Sequence, residues 1–80
     1  MAEYELDARG LVCPEPLMRV RNRIRELETG DRLRVRATDP STRRDLTNFC
    51  RFMGHVLEES HEESQEAVRI YHFCIRKAAA

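Results

Sequence analysis

The 80-residue sequence contains no tryptophan, a single lysine and only three each of proline, glycine and cysteine. Its apolar runs are a few residues long, which excludes a transmembrane helix, because such a helix needs about 20 apolar residues. Residues 1–10 are acidic and lack the apolar stretch of a signal peptide. With 41% hydrophobic and 35% charged residues, the composition indicates one small globular domain spanning residues 1–80.

The three cysteines, Cys13, Cys50 and Cys74, are odd in number and widely spaced. Together with the lack of a signal peptide, this pattern indicates free thiols in a reducing compartment, and we expect a cytoplasmic protein. The histidines have no metal-ligand spacing relative to the cysteines, so no metal or other cofactor is predicted. The sequence has neither a glycine-rich phosphate loop nor the C-x-x-C pair of a redox enzyme.

The formal net charge is zero, but the charges are unevenly distributed. Thirteen of the fourteen basic residues are arginines, and residues 19–51 carry ten of them against five acids. Residues 58–66 carry five glutamates and no basic residue. Such asymmetry is typical either of an ordinary solvated surface or of a docking face for an acidic partner or a nucleic acid. The excess of arginine favours docking, because the guanidinium group suits carboxylates and phosphates.

Apolar periodicity predicts two helices and two clear strands in the first part of the chain. Residues 3–7 and residues 32–37 alternate as strands do, and the second of these places its arginines in water. Gly30 is predicted to end the first helix, and Gly54 is predicted to end the second. The apolar stripe of the first helix is Leu17, Val20, Ile24 and Leu27. The stripe of the second helix is Leu46, Phe49, Cys50 and Met53. Asp39, Ser41 and Thr42 are candidate caps of that helix.

The second part of the chain predicts two more strands, at residues 55–60 and 67–77, joined by an acidic loop and followed by a frayed alanine end. The order is therefore β-α-β-α-β-β, an α/β (α+β) two-layer sandwich with a four-stranded mixed sheet. Both helices are placed on one face, because a second helical layer would bury the arginines of the second strand. In the last strand we expect the face of Tyr71, Phe73 and Ile75 to lie in the core.

The segment Cys-Pro-Glu-Pro, residues 13–16, begins the first helix. Proline is tolerated in a first helical turn, so Pro14 is predicted at the first helical position and Cys13 at or beside the N-cap. The N–H groups of Glu15 and Leu17 are then free to point at the sulfur. The helix dipole adds about half a positive charge, which favours a sulfur anion. The negative charge of the nearby Glu15 carboxylate disfavours such an anion. The alternative is that Cys13 is a small buried hydrophobe.

The sequence from Leu6 to Lys77 resembles a known protein family. The stretches "LDARGLVCPEP", "DPSTRRDLTNFC" and "YHFCIRK" make the chain similar to the TusA/SirA-like sulfur-carrier family, most of all to the branch that serves tRNA thiolation. The resemblance implies the same β-α-β-α-β-β fold and a persulfide on Cys13, with Pro14, Glu15 and Pro16 positioning it. It implies a carrier rather than an enzyme.

The resemblance also implies partners. A cysteine desulfurase donates the sulfur, and further sulfur-transfer proteins relay it to the synthesis of 2-thiouridine at the wobble position of tRNA. Some relatives supply molybdenum-cofactor synthesis or sulfur oxidation instead. The acidic loop around residues 59–66 is a few residues longer than usual in the family, which leaves any partner contact near it open.

Partner contacts are predicted on the first helix. Met18 falls outside the buried stripe and is a candidate apolar contact, while Arg19 and Arg23 face away from the core. Phe52 is either a similar contact or, as we favour, partly buried at the edge of the core. The arginines also allow an RNA-binding module. Direct nucleic-acid binding is nevertheless not expected, because the net charge is zero and the sheet lacks aromatic side chains for base stacking.

Overall fold

The computed structural model describes residues 1–78, so the last two residues of the expected frayed end lie outside the described part. The secondary-structure elements are β1 (Glu3–Ala8), α1 (Glu15–Glu26), β2 (Arg32–Ala37), α2 (Ser41–Met53), β3 (Val56–Gln65) and β4 (Val68–Arg76). This order confirms the predicted β-α-β-α-β-β arrangement. In residues 1–78, no helix combines the length and the hydropathy that crossing a bilayer requires.

The four strands form one mixed sheet in the order β1-β2-β4-β3. Strands β1 and β2 are parallel, with Leu6 beside Val35, and the other two pairs are antiparallel. Parallel neighbours need a crossover connection, which α1 supplies. Because α1 follows β1 and α2 follows β2, both helices begin at the carboxyl end of the parallel pair. This end of the sheet is where α/β proteins commonly place their chemistry.

The hydrophobic core lies between the sheet and the two helices. Val20 and Ile24 of α1 and Leu46 of α2 are almost fully buried against Leu33 and Val35 of β2. The same cluster contains the predicted face of β4, made by Tyr71, Phe73 and Ile75. Burial of a large apolar side chain contributes about 1.5–3 kcal/mol, so this layer fixes the orientation of both helices on the sheet.

The ends of the helices differ in part from the sequence prediction. Helix α2 ends at Gly54, whose positive φ of 76° gives the left-handed cap that was predicted. Helix α1 ends four residues before Gly30, with Leu27 already extended as its cap. The following turn is held by Asp31, whose carboxylate accepts the N–H groups of Glu28 and Ala2. The positive φ of Gly30, 97°, belongs to this turn and not to the helix end.

Two apolar residues of α2 are more exposed than predicted. Met53 was expected in the buried stripe, but it is 52% exposed. Phe52 was expected at the edge of the core, but it is 87% exposed. Both predictions are wrong because the core face of α2 is already filled by Leu46, Phe49 and Cys50. The last turn of the helix therefore presents an apolar surface to solvent.

The expected acidic loop is wrong as well, because these residues form most of β3. Strand β3 pairs with β4 throughout, from Val56 beside Arg76 to Gln65 beside Val68, with a register shift between Leu57 and Glu59. Its side chains are nearly all exposed. An exposed strand has no buried face and therefore no apolar alternation. Strand β3 is instead stabilised by its hairpin pairing with β4. A hydrogen bond from Arg69 to Glu62 and the stacked imidazole rings of His61 and His72 support this pairing.

The face of the sheet opposite the helices carries a lattice of ion pairs. Arg34 donates to Glu3 at 2.8 Å and to Glu59 at 3.3 Å, and Arg32 donates to Glu58 at 2.6 Å. Arg36 lies 4.0 Å from Asp7. These contacts confirm that the arginines of β2 lie on the open face and that both helices are on the other.

Candidate functional site: an exposed thiol before helix α1

Cys13 is exposed and lies in the loop between β1 and α1. The loop turns at Gly10, whose φ of 82° is a backbone conformation that residues other than glycine rarely adopt. The Gly10 N–H donates to the Thr38 hydroxyl at 2.9 Å, and the N–H of Leu11 donates to the Ala8 carbonyl at 3.3 Å. These bonds hold the loop over the carboxyl ends of β1 and β2, with the thiol at the surface rather than buried.

Helix α1 begins one residue later than the sequence predicted, so each proline lies one position earlier in the helix than expected. Pro14 is the N-cap of α1, Glu15 is the first helical residue, and Pro16 is the second. The peptide bond between Cys13 and Pro14 is cis. The expectation that the N–H of Glu15 is free to face the sulfur is wrong, because it donates to the Val12 carbonyl at 2.9 Å. Pro16 is fully buried, so it packs in the core as well as starting the helix.

Asp39, which follows β2, anchors the backbone of Cys13. Its Oδ2 accepts the Cys13 N–H at 2.7 Å, while its Oδ1 accepts the N–H and the hydroxyl of Ser41 at 3.0 and 2.9 Å. These bonds, led by the one from Cys13, lower the pKa of the Asp39 carboxyl from its ordinary value. The charged carboxylate therefore joins the cysteine loop to the start of α2. The sequence predicted Asp39 as a helix cap but gave no sign of the bond to Cys13.

Asp45, on the first turns of α2, contacts the sulfur itself. Its Oδ2 lies 3.5 Å from Cys13 Sγ, within hydrogen-bond reach for sulfur. The two residues are 32 positions apart, and no local sequence pattern marks a charged helical residue as a contact of a distant thiol. Sequence analysis missed this residue for that reason.

The other two cysteines have different surroundings. Cys50 lies in the core, and burial raises the pKa of its thiol to about 11. Cys74 is 1% exposed beneath the ion pairs of the open face, and there too burial raises the thiol pKa. A thiol is nucleophilic only as the thiolate, so Cys50 and Cys74 are poorly suited to covalent chemistry at neutral pH.

An apolar groove runs between α1 and α2, and one of its lining residues is Asp45, which contacts Cys13. It is also lined by Leu17, Met18, Phe52 and Met53. Met18 is 46% exposed, as the sequence analysis predicted for an apolar contact. Exposed apolar side chains grouped in this way are typical of a protein-binding surface.

The two arginines predicted to dock a partner differ in their contacts. Arg19 forms an exposed ion pair with Glu15 at 3.3 Å, one helical turn away. Arg23 pairs with Glu26 at 3.1 Å and stacks over the Tyr4 ring, with 4.8 Å from the guanidinium carbon to the ring centroid. Arg19 is thus the more accessible of the two.

The titratable side chains give no indication of a metal centre. Within the described residues, 1–78, histidine, cysteine and carboxylate side chains form no group of three that could hold a metal ion. The close pair of His72 and Glu63, 2.7 Å apart, lies on the open face of the sheet, opposite the helices.

The fold and the site together define a class: small two-layer α+β domains that present one anchored, accessible thiol at the start of a helix. The family described as "Sulfurtransferase TusA" matches residues 4–77. The chain belongs to this family.

Curated relatives agree with this assignment over nearly the whole chain. The chain is 53% identical to a sulfur carrier protein TusA of Pseudomonas paraeruginosa over 74 residues, which are 92% of this chain and 89% of that protein. It is 50% identical to the protein of the same name from Pseudomonas putida, over 92% of this chain and 88% of that one.

A solved structure has a similar fold. The crystal structure of a SirA-like protein from Desulfitobacterium hafniense superposes with a TM-score of 0.71 and 26% identity. The superposition covers 94% of this chain and 97% of that chain. The similarity therefore includes the β3–β4 hairpin as well as the helical layer.

Proposed function

We propose that this protein is a sulfur carrier that accepts a sulfur atom on Cys13 from a cysteine desulfurase and passes it to a further sulfur-transfer protein. The observation that supports it most is the placement of Cys13, which is exposed, anchored through its backbone by Asp39 and located at the start of α1. The names of the TusA relatives support the same role.

The transfer requires a single exchange at sulfur. The Cys13 thiolate attacks the outer sulfur of the persulfide on the desulfurase, a bond forms between these two atoms, and the S–S bond of the donor breaks. The donor cysteine leaves as a thiolate, and Cys13 becomes the persulfide, so no external oxidant or reductant is consumed. Delivery is the same exchange with Cys13 as the donor: a thiolate of the acceptor attacks the outer sulfur of the Cys13 persulfide, and Cys13 leaves as the thiolate. Pro14, Glu15 and Pro16 are positioning residues in this proposal, since they build the turn that presents the thiol.

The desulfurase is proposed to dock on the groove between α1 and α2. Met18 and Phe52 supply exposed apolar area in this groove, and Arg19 supplies a positive charge on the same helix as Met18. Arg23 contributes less, because it stacks on Tyr4. A carrier must bind and release two partners in turn, so modest apolar contacts with electrostatic steering suit it.

The loading step is tested by intact-mass measurement. The protein is incubated with a cysteine desulfurase and cysteine, with a matched sample that lacks cysteine. The proposal expects a mass gain of one sulfur atom only in the complete mixture, and the gain should disappear on reduction with dithiothreitol. A protein that keeps its original mass under conditions that load the desulfurase itself would contradict it.

The proposed destination of the sulfur is 2-thiolation of the tRNA wobble uridine, in the cytoplasm. The resemblance of Glu15 and of residues 39–50 to the tRNA-thiolation branch supports this destination over molybdenum-cofactor synthesis or sulfur oxidation. The test is to delete the gene in its host and quantify 2-thiouridine nucleosides in bulk tRNA. Loss of the thiolated nucleoside, restored by the wild-type gene, is expected. Unchanged thiolation with a loss of molybdenum-enzyme activity would assign the carrier to the alternative pathway.

An RNA-binding module is the second candidate, and the open face of the sheet argues against it. Arg32 and Arg34 there are paired with Glu58, Glu3 and Glu59. Their positive charge is largely compensated, whereas backbone binding needs uncompensated basic groups.

A further inference from the structure

Two carboxylates reach Cys13 in different ways. Asp39 holds its backbone N–H, whereas Asp45 Oδ2 lies 3.5 Å from its sulfur. The Asp45 side chain is 17% exposed, and its other oxygen accepts the guanidinium N–H of Arg44 at 3.4 Å. The carboxylate that contacts the sulfur is therefore fixed on α2 and mostly shielded from water.

In the empty protein this contact is attractive. It is a hydrogen bond that the Cys13 thiol donates to Asp45 Oδ2. The bond directs Sγ toward α2 and toward Asp45, which lines the apolar groove. One side-chain orientation is thereby selected from those available to an exposed cysteine.

In the loaded protein the same contact becomes repulsive. Sγ is then bonded to the second sulfur and has no proton to donate, and a persulfide, being more acidic than a thiol, carries its charge on the outer sulfur. Two like charges a few ångströms apart at a partly shielded site repel each other appreciably. The outer sulfur is thus driven away from Asp45.

We propose that Asp45 is a positioning residue that distinguishes the two states of Cys13: it holds the empty thiol against α2 and turns the loaded persulfide outward, toward an acceptor. This inference deepens the proposed function and rests on it for the loaded state. The position of the empty thiol follows from the contact between Cys13 Sγ and Asp45 Oδ2 alone.

The test compares a neutral and an anionic alkylating reagent, iodoacetamide and iodoacetate. Second-order rates at residue 13 are measured in empty protein and in protein loaded with polysulfide, for wild type, Asp45→Asn and Glu66→Gln. Asp45→Asn keeps the shape of the side chain. Glu66→Gln removes the same charge in the β3–β4 turn and is the matched control. Peptide mass assigns each adduct to residue 13 and shows whether the extra sulfur is retained.

The expected readout is the iodoacetamide-to-iodoacetate rate ratio. In empty wild type the Asp45 charge disfavours the anionic reagent, so the ratio should exceed that of Asp45→Asn by roughly threefold to tenfold, as expected for one nearby charge. In the loaded state the two ratios should converge, because the outer sulfur has moved away. Glu66→Gln should match wild type in both states.

Two results would overturn the inference: equal ratios for wild type and Asp45→Asn in the empty state, or a difference that persists undiminished after loading. Thermal unfolding of each variant guards against a mere loss of structure. If Cys13 accepts no sulfur from either polysulfide or desulfurase, the proposed function fails, while the ratio in the empty protein still decides whether Asp45 acts on the thiol.

Discussion

Three cysteines in one small chain have three different surroundings, and these decide what each sulfur can do. Cys13 is exposed and anchored by Asp39, whereas Cys50 is buried in the core and Cys74 beneath ion pairs. Burial removes access and also disfavours the thiolate. At the residue scale, location within the fold separates the accessible thiol of Cys13 from the two buried thiols.

This difference predicts selective alkylation of the native protein. Iodoacetamide at pH 8 should modify Cys13 within minutes, while Cys50, whose thiol pKa burial raises to about 11, should react only after unfolding. Peptide mapping of native and urea-unfolded samples measures both. Rapid native modification of Cys50 would show that the core opens more readily than this structure implies.

Pro16 is expected to stabilise the fold as well as to position Cys13. Pro16→Ala removes about two buried methylene groups and frees the unfolded chain, so the free energy of unfolding should fall by about 1–2 kcal/mol. Pro40→Ala, at the exposed N-cap of α2, is the matched control and should lose no more than about 1 kcal/mol. Urea denaturation gives both values, and equal losses would mean that burial of the Pro16 ring contributes little.

At the element scale, α1 connects the site to its proposed partner. The helix begins next to Cys13, buries Val20 and Ile24, and leaves Met18 and Arg19 exposed. One amphipathic element therefore both packs on the sheet beside the thiol and offers the surface on which the donor is proposed to dock.

Charge reversal on this helix should slow sulfur transfer. Arg19→Glu removes a positive charge near Cys13, and we expect the second-order transfer rate from the desulfurase to fall several-fold at low salt, because steering acts on association. Raising the salt to about 0.5 M should shrink the difference, since screening then acts within a few ångströms. Arg25→Glu, about 9 Å further along the helix axis, is the control. A rate unaffected by Arg19→Glu and by salt would leave docking to the apolar groove.

The elements also show what the sequence can and cannot predict. Strand β2 and both helices have a buried face, and their apolar periodicity predicts them correctly. Strand β3 has almost no buried face, so its formation depends on pairing with β4, which a local pattern does not record.

The candidate site was likewise predictable only in part. The placement of Cys13 before a helix follows from its two prolines. The contacts of Asp39 and Asp45 with Cys13, by contrast, arise from tertiary packing, because Asp39 follows β2 and Asp45 lies on α2, 26 and 32 residues away in sequence.

At the scale of the whole molecule, carboxylates join distant parts of the chain. Asp39 links the cysteine loop to α2, and Asp31 links the N-terminal segment to the turn before β2. Hydrogen bonds to Asp31, first from the Glu28 N–H and then from that of Ala2, lower the pKa of its carboxyl. The charged forms of both carboxylates therefore favour the folded state.

This arrangement predicts loss of stability in acid. Groups with a lowered folded pKa stabilise the fold fully above their unfolded pKa of about 3.9, and this contribution disappears as the pH falls through the folded pKa. The free energy of unfolding should be nearly constant from pH 7 to about pH 5 and then decline. In Asp31→Asn the decline should be shallower, and in Glu66→Gln it should match wild type. Chemical denaturation at each pH measures the slope, and identical slopes for all three proteins would show that Asp31 is not a source of the acid sensitivity.

The central claim is that Cys13 alone bears the transferred sulfur. The most direct measurement is peptide-resolved mass spectrometry after incubation with a cysteine desulfurase and cysteine, comparing wild type with Cys13→Ser, Cys50→Ser and Cys74→Ser. The account predicts one additional sulfur on the peptide containing Cys13 in wild type and in the two core variants, and none anywhere in Cys13→Ser. Sulfur carried by folded Cys13→Ser protein, on Cys50 or Cys74, would contradict it.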